Sequence, residues 1–406
     1  MNARTPLRIA PPRQRRRLVA LAVLGVAAAA LGWMLVGSAS APRYTGPPTW
    51  SAAGRMVEAR SGHAAIVLPN GEVLVAGGYG ADQLRASAEV FDPRTKQWRR
   101  TGAPPVPQAP TVALLLATGK VLLGVGGTGP PSPTSGLVLY DPARGTWAAA
   151  HALPAAVGRN AGWQLLTLTD VGGGRVLVLG VVRSPGRSTP SAYLYDARRD
   201  TWRAAPPPPL DEAAWALRLP SGQVLVIGTA TVGGRYVWEA ALYHPRRGTW
   251  TAAPPPPNNI GPSPPVLLSN GKVLLLSAHA SCGLLALGRL VGGCDLTAHA
   301  VLYDPRTGRS AATGSLTRRH VPDVVVALPN GTVLAAGGLS KTSTSSGAFS
   351  APVADAEVYD PRTGRWSPTG SMATARAGAS AVVLPSGAVL VSGGDGASSA
   401  ELYTGR

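Results

Sequence analysis

Asp360-Pro361-Arg362-Thr363-Gly364-Arg365-Trp366 is a chain reversal spelled out in side chains. An Asp at the first position can accept a hydrogen bond from its own backbone two residues on. The Pro presets φ at the next position, and the Gly takes a left-handed slot that forms a bulge. The Glu-Val-Tyr run just before the turn reads as a strand, and the Trp opens the strand that follows it. Near-identical turns begin at Asp92, Asp141 and Asp304. These acids recur because the turn needs them, so the role they imply is structural and not catalytic.

Working outward from the turn, a whole unit repeats. Its first copy runs Leu68-Pro-Asn-Gly71, then Val73-Leu-Val-Ala-Gly-Gly78, then Ala88-Glu-Val-Phe-Asp-Pro-Arg-Thr-Lys-Gln-Trp98. The closing Trp returns as Trp147, Trp202, Trp250 and Trp366, with Ser310 in its place in the fifth copy, at intervals of 48–60 residues. Periods near 50 point to propeller blades. Each copy supplies four short strands, a to d. Asn70-Gly71, Ser221-Gly222, Asn270-Gly271, Asn330-Gly331 and Ser386-Gly387 stand between a and b, where such dipeptides predict two-residue hairpins. The last copy stops at Glu401-Leu-Tyr403 and lacks strand d, while an orphan strand, Thr49-Trp50-Ser51-Ala52, precedes the first. Joining the two predicts an all-β, seven-bladed propeller with four antiparallel strands per blade. Its N-terminal strand completes the last blade, and a closed ring of this kind leaves no exposed edge.

Composition agrees. The 406 residues include 50 Gly and 39 Pro, are 45% hydrophobic and only 14% charged. Disorder needs low hydrophobicity, so many short strands joined by Gly/Pro turns fit better. The net charge is +18, and residues 1–41 hold six arginines and no acid. No nucleic-acid motif and no interleaving of aromatics with basic clusters accompanies this charge, which argues against a nucleic-acid partner.

The N-terminus sets the expected compartment. Residues 18–36 are 19 residues without a charge, and a helix that long spans about 28 Å, near the thickness of a hydrocarbon core. Gln14-Arg15-Arg16-Arg17 lies just before it, so the chain beyond is expected outside the cytoplasm. The segment reads as a transmembrane signal anchor or a signal peptide. Ala39-Ser40-Ala41 has the form of a cleavage site, but the length of the apolar run and the following Pro42 favour the anchor. The expected organisation is therefore a basic cytoplasmic segment 1–17, the anchor or signal 18–36, a linker 37–48 and the propeller 49–406.

The double glycine after strand b, the aromatic residue beyond the strand-c acid and the period near 50 together resemble the kelch family, over residues 44–406. The resemblance implies the fold much more than a function, since kelch propellers include both interaction modules and enzymes. Galactose oxidase-type copper enzymes share this propeller and ligate metal through Tyr and His. Here Tyr243-His244 occupies a slot where other copies carry Tyr-Asp, on the short-turn face, and is not expected to bind metal. A sialic-acid mutarotase of the same fold would need acid/base groups at the channel mouth.

The a–b and c–d turns are short and repetitive, whereas the b–c and d–a loops vary. Variable loops on a repeated scaffold are where binding is usually built. Alignment of the copies at the start of strand a gives Arg60, Gln108, Asn160, Asp211, Ile260, His320 and Arg376, with Arg376 and Arg60 as neighbours in the ring. Three residues on come His63, Thr111, Trp163, Ala214, Ser263, Asp323 and Ala379. Arg60, His63, Gln108, Asn160, Trp163, Asp211, His320, Asp323 and Arg376 are the expected ligand-binding set at the channel mouth. Trp stacking and Arg forks of this type suit sugars, carboxylates or peptides. Asp211, His320 and Arg376 have no spacing diagnostic of catalysis. Cys282 and Cys294, in the long b–c loop of the fifth copy, are expected to form a disulfide, and the Ser/Thr/Ala-rich loop 340–355 reads as a lid or a tolerated insertion. The sequence thus predicts an interaction module for a protein or glycan, needing no cofactor or metal, with a carbohydrate-active enzyme as the alternative.

Overall fold

The computed structural model describes residues 48–405 apart from 81–82, 106–108, 127–136, 151–161, 185–186, 258–259, 261–262, 282–284, 287–288, 291–294 and 345–346. Seven four-stranded antiparallel sheets form the blades, each ordered from strand a inside to strand d outside. In blade 1 these strands are Ala64–Val67, Val73–Ala76, Ala88–Asp92 and Gln97–Arg100. Blade 7 takes Ser380–Val383, Val389–Ser392 and Ser399–Thr404 from the end of the chain and Thr49–Arg55 from its beginning. Thr49 pairs with Thr404, Trp50 with Tyr403 and Ala52 with Glu401, so the ring closes as the repeat count requires.

Strand b lies in the middle of each sheet with another blade on either side. Its residues are therefore mostly apolar without alternation: Val73–Ala76 and Val389–Ser392 are buried along their whole length, Ser392 being the polar exception. The apolar clusters belong to pairs of blades. Leu74 and Val90 of blade 1 pack with Ala113, Val121 and Tyr140 of blade 2. On the outer rim, the strand-c Tyr leans against the strand-d Trp of its own blade, as in Tyr140 and Trp147 with ring centres 4.9 Å apart.

The a–b turns differ from the sequence expectation. Gly71 N donates to Leu68 O (2.9 Å) and Leu68 N to Glu72 O (2.8 Å), so three residues make the loop. Pro69 opens a type I turn and Gly71, at φ 86°, supplies the left-handed bulge. The Asn-Gly pair signals the reversal, but the loop is one residue longer than read, and Ser269-Asn270-Gly271 in blade 5 closes the same way without a Pro. The c–d turns are as read: Gly364 N donates to Asp360 O and Arg362 N to Asp360 Oδ1.

Blades 7 and 1 share a buried arginine device, of which blade 6 keeps the strand-c Glu alone. Arg60 donates to Gly77 O, Ser87 O, Ser87 Oγ and Glu89 Oε1, all in blade 1. Arg376 repeats the pattern in blade 7 with Gly393 O, Ser399 and Glu401. Each strand-c Glu also accepts two backbone N–H groups of the d–a loop before its blade: Val57 and Glu58 for Glu89, and Thr317 and Arg318 for Glu357. The arginine carbonyl in turn accepts from the second glycine of the preceding blade, Gly394 N to Arg60 O and Gly338 N to Arg376 O. Neighbouring blades are thus bolted together across the point of ring closure.

Candidate functional site: the hairpin face

On one side of the disc, the b–c connections of four blades continue as β-hairpins. Blade 3 carries Arg175–Ser184 against Arg187–Asp196, and blade 4 carries Val224–Val232 against Arg235–His244. In blade 5 Val273–Ser281 pairs with Asp295–Tyr303, with a small ladder at Leu285–Ala286 and Arg289–Leu290 between them. Blade 6 adds a separate two-stranded sheet, Leu339–Thr344 with Gly347–Pro352. The segment read as a lid or a tolerated insertion is therefore largely a ladder in register.

Val57, Leu84 and Val232 are the exposed large apolar side chains of the described residues, at 52%, 40% and 58%. All three lie on this face: Val57 in the d–a connection into blade 1, Leu84 in the b–c loop of blade 1, and Val232 at the tip of the blade 4 hairpin. That hairpin is held from below. Asp211 Oδ2 accepts from Thr231 N at 2.7 Å, and Trp238 stacks on the buried Trp215 with ring centres 5.2 Å apart.

The residues expected at the channel mouth fall into three groups. Arg60 and Arg376 are adjacent across the ring, as the alignment implies, but both are 0% exposed and their guanidinium groups are engaged inside the blades. Their long side chains turn back along the strands to the Glu of strand c instead of entering the channel. His63 is buried, with Nε2 2.9 Å from Ser392 Oγ, and burial together with the Arg60 charge pushes its pKa down to about 3. His320 fills the arginine slot of blade 6 at 0% exposure, and neither ring nitrogen has a partner among the described residues. Burial lowers its pKa, opposed by the carboxylates of Glu357 and Asp355.

Asp211 and Asp323 form the second group, partly buried at the start of strand a. Asp323 Oδ2 accepts from Gly378 N of the next blade at 2.6 Å, and burial raises its pKa. Among the described side chains of the set, these two carboxylates keep some exposure. The third group is Trp163, Gln108 and Asn160. Trp163 is in strand a of blade 3, opposite Val182, but its side chain, Gln108, Asn160 and both Cys282 and Cys294 lie outside the described residues. The hairpins and the three apolar side chains were missed as a site. Loop length signalled the face, but lone Val and Leu residues in loops carry no periodicity that marks them as exposed.

Tyr243 and His244 sit on the opposite face from the hairpins. His244 contacts Gln223 (Nδ1, 3.2 Å) and Thr251 (Nε2, 2.8 Å). Among the described residues, no three His, Cys, Asp or Glu side chains converge on a point where a metal could be held.

This architecture defines a seven-bladed β-propeller. Residues 59–104 and 322–373, which contain blades 1 and 6, match the Kelch motif, and the chain is a kelch-repeat propeller. No curated protein matches the sequence. Among solved structures, the fold is similar to that of a fungal alcohol oxidase of the AA5 family in complex with copper. That likeness has 15% identity and a TM-score of 0.57, over 89% of this chain and 76% of that one.

Proposed function

We propose that the protein is an extracytoplasmic interaction module, held at a membrane by residues 18–36, that grips a protein or glycan with its hairpin face. The observation that carries this reading is the asymmetry of the disc. One face is built of short repeated turns, and the other carries four hairpins and every exposed large apolar side chain of the described residues. Scattered apolar residues are ordinary on a surface, but their confinement to one face with projecting hairpins is the pattern of a contact surface. Asp211 and Asp323 would supply polar contacts at its centre.

The test is retention of envelope components and of arrayed glycans by the full chain, compared with a Leu84→Asp, Val232→Asp variant of unchanged thermal midpoint. Loss of retention in the variant is expected. Undiminished retention would remove the hairpin face from the proposal, and no retention by the unaltered chain would remove the module.

The alternative, a carbohydrate-active propeller of the sugar oxidase or sialic-acid mutarotase type, draws on the likeness of fold to the copper alcohol oxidase. The described residues do not provide a copper donor set. Among the described members of the expected set, Asp211 and Asp323 are the partly exposed acid/base groups a mutarotase would use. Change of optical rotation of a sialic acid, abolished by Asp323→Asn, would favour it over the module.

A further inference from the structure

The opposite face of the disc, where the a–b and c–d turns lie, is basic in a patterned way. In most blades the turn Asp holds its own arginine: Arg144 Nη1 is 3.0 Å from Asp141 Oδ2, and Arg199 Nη1 is 2.8 Å from Asp196 Oδ2. Blade 4 has His244 in the Asp slot. Its two arginines, Arg246 and Arg247, are exposed and hold no ion pair among the described residues. Arg175 of blade 3 adds a third unpaired charge, because Asp196 opposite it is taken by Arg199. These three line a groove of about 660 Å³ between blades 3 and 4, together with Arg218 and the backbone of Gly172 and Gly173. Arg218 is neutralised by Asp170 at 2.5 Å.

The path of the chain gives this face a direction. Thr49 pairs with Thr404, the residue at which strand c of blade 7 ends on the turn face. The chain therefore enters the disc from that face, and residues 37–48 connect it to the apolar run 18–36. Even fully extended, twelve residues reach only about 40 Å. Charges held so near a bilayer meet headgroups at high effective concentration, within reach of a surface potential that decays over about 8 Å.

We infer that the turn face lies against an anionic phospholipid surface, with the groove between blades 3 and 4 as its strongest headgroup contact. The inference deepens the membrane-held reading by choosing which face meets the lipid, and it leaves the hairpins pointing away from the membrane. Phosphate oxygens suit the arrangement, since arginine forks bind them with two hydrogen bonds each.

The experiment is hydrogen exchange on the full chain in nanodiscs of phosphatidylcholine, alone or mixed with phosphatidylglycerol. Turn peptides spanning 170–175 and 244–249 should exchange several-fold more slowly with the anionic lipid, and the blade 4 hairpin tip at 231–235 should not change. High salt and an Arg175→Gln, Arg246→Gln, Arg247→Gln variant should each erase the difference. Equal exchange in both lipids, protection of the hairpin tip instead, or protection by a soluble polyanion but not by anionic lipid would overturn the inference. Carbonate extraction of the full chain from membranes tests the anchor separately. A chain that is extracted yet still shows lipid-dependent turn protection would sink the anchor and keep the surface.

Discussion

Arg60, His320 and Arg376 stand in one slot of three blades, and the odd one out makes the slot testable. Removing Arg60 leaves Glu89 buried with only its two backbone donors, and breaking such a pair costs about 3–5 kcal/mol. Arg60→Ala should lower the midpoint of urea unfolding accordingly. His320→Arg should do the reverse, because Gly337 O and Glu357 stand where Gly77 O and Glu89 stand in blade 1. A gain of about 1 kcal/mol is expected, and a loss would show that blade 6 has closed around the smaller ring. His63 gives the pH response. Its folded pKa is depressed from 6.5 to about 3, so its neutral form stabilises the fold fully above the unfolded value. That contribution fades as pH falls from 6.5 towards 3. At about pH 5 the loss from this residue is about 2 kcal/mol relative to alkaline solution, and His63→Gln should flatten the acid limb of a stability profile. Asp323 has the opposite sign. Its folded pKa is raised, so its contribution is complete at low pH and is lost as pH rises through the folded value. Asp323→Asn, which keeps an oxygen for Gly378 N, should therefore stabilise the protein at neutral pH and change little in acid.

At the scale of elements, the rim seam between blades turns on one position. The third residue after the strand-d Trp position stands at the strand-c aromatic of the next blade. Thr101 meets the hydroxyl of Tyr140 at 2.8 Å, and Thr313 meets that of Tyr359 at 2.7 Å. Where that residue is Ala53, the next blade has Phe91, which has no hydroxyl to satisfy. Where it is Ala150 or Ala253, the hydroxyls of Tyr195 and Tyr303 donate elsewhere, to Asp200 Oδ1 and Pro254 O. Blade 4 has neither remedy, since Ala205 leaves the Tyr243 hydroxyl buried and unpartnered among the described residues. Ala205→Thr should restore the bond and raise stability by about 1 kcal/mol in thermal unfolding; a change that leaves the midpoint unmoved would mean the hydroxyl is satisfied by water. The double glycines are equally strict. A Cβ on Gly338 would fall within 1.9 Å of Val321 O, at a φ of 90°, so Gly338→Ala should destabilise strongly.

Across the whole molecule, what the sequence discloses depends on how local its cause is. Blade number, strand order and ring closure were legible because turn chemistry such as Asp360 to Gly364 acts within a few residues and recurs. The position of Arg60 and Arg376 beside one another was also legible. Their burial was not, since it depends on Glu89 and Glu401, which lie tens of residues away and read as ordinary strand residues. Likewise a Ser/Thr-rich stretch such as 340–355 has no apolar face to betray a ladder. The repeats also diverge by arc. Blades 6, 7 and 1 keep the Gly pair and the buried Glu, while blades 3 to 5 lack both and bear the longest hairpins.

Ring closure fixes the order in which this protein can be finished. Strand Thr49–Arg55 leaves the ribosome before every other strand of the propeller, yet its partner Ser399–Thr404 lies 355 residues further on. At a synthesis rate of about 5–20 residues per second, that first strand waits roughly 20–70 s for a neighbour. If export proceeds while the chain is still being made, the disc stays an open arc throughout, with one bare strand at each end. Whatever guards those two edges during synthesis guards the yield of the whole ring.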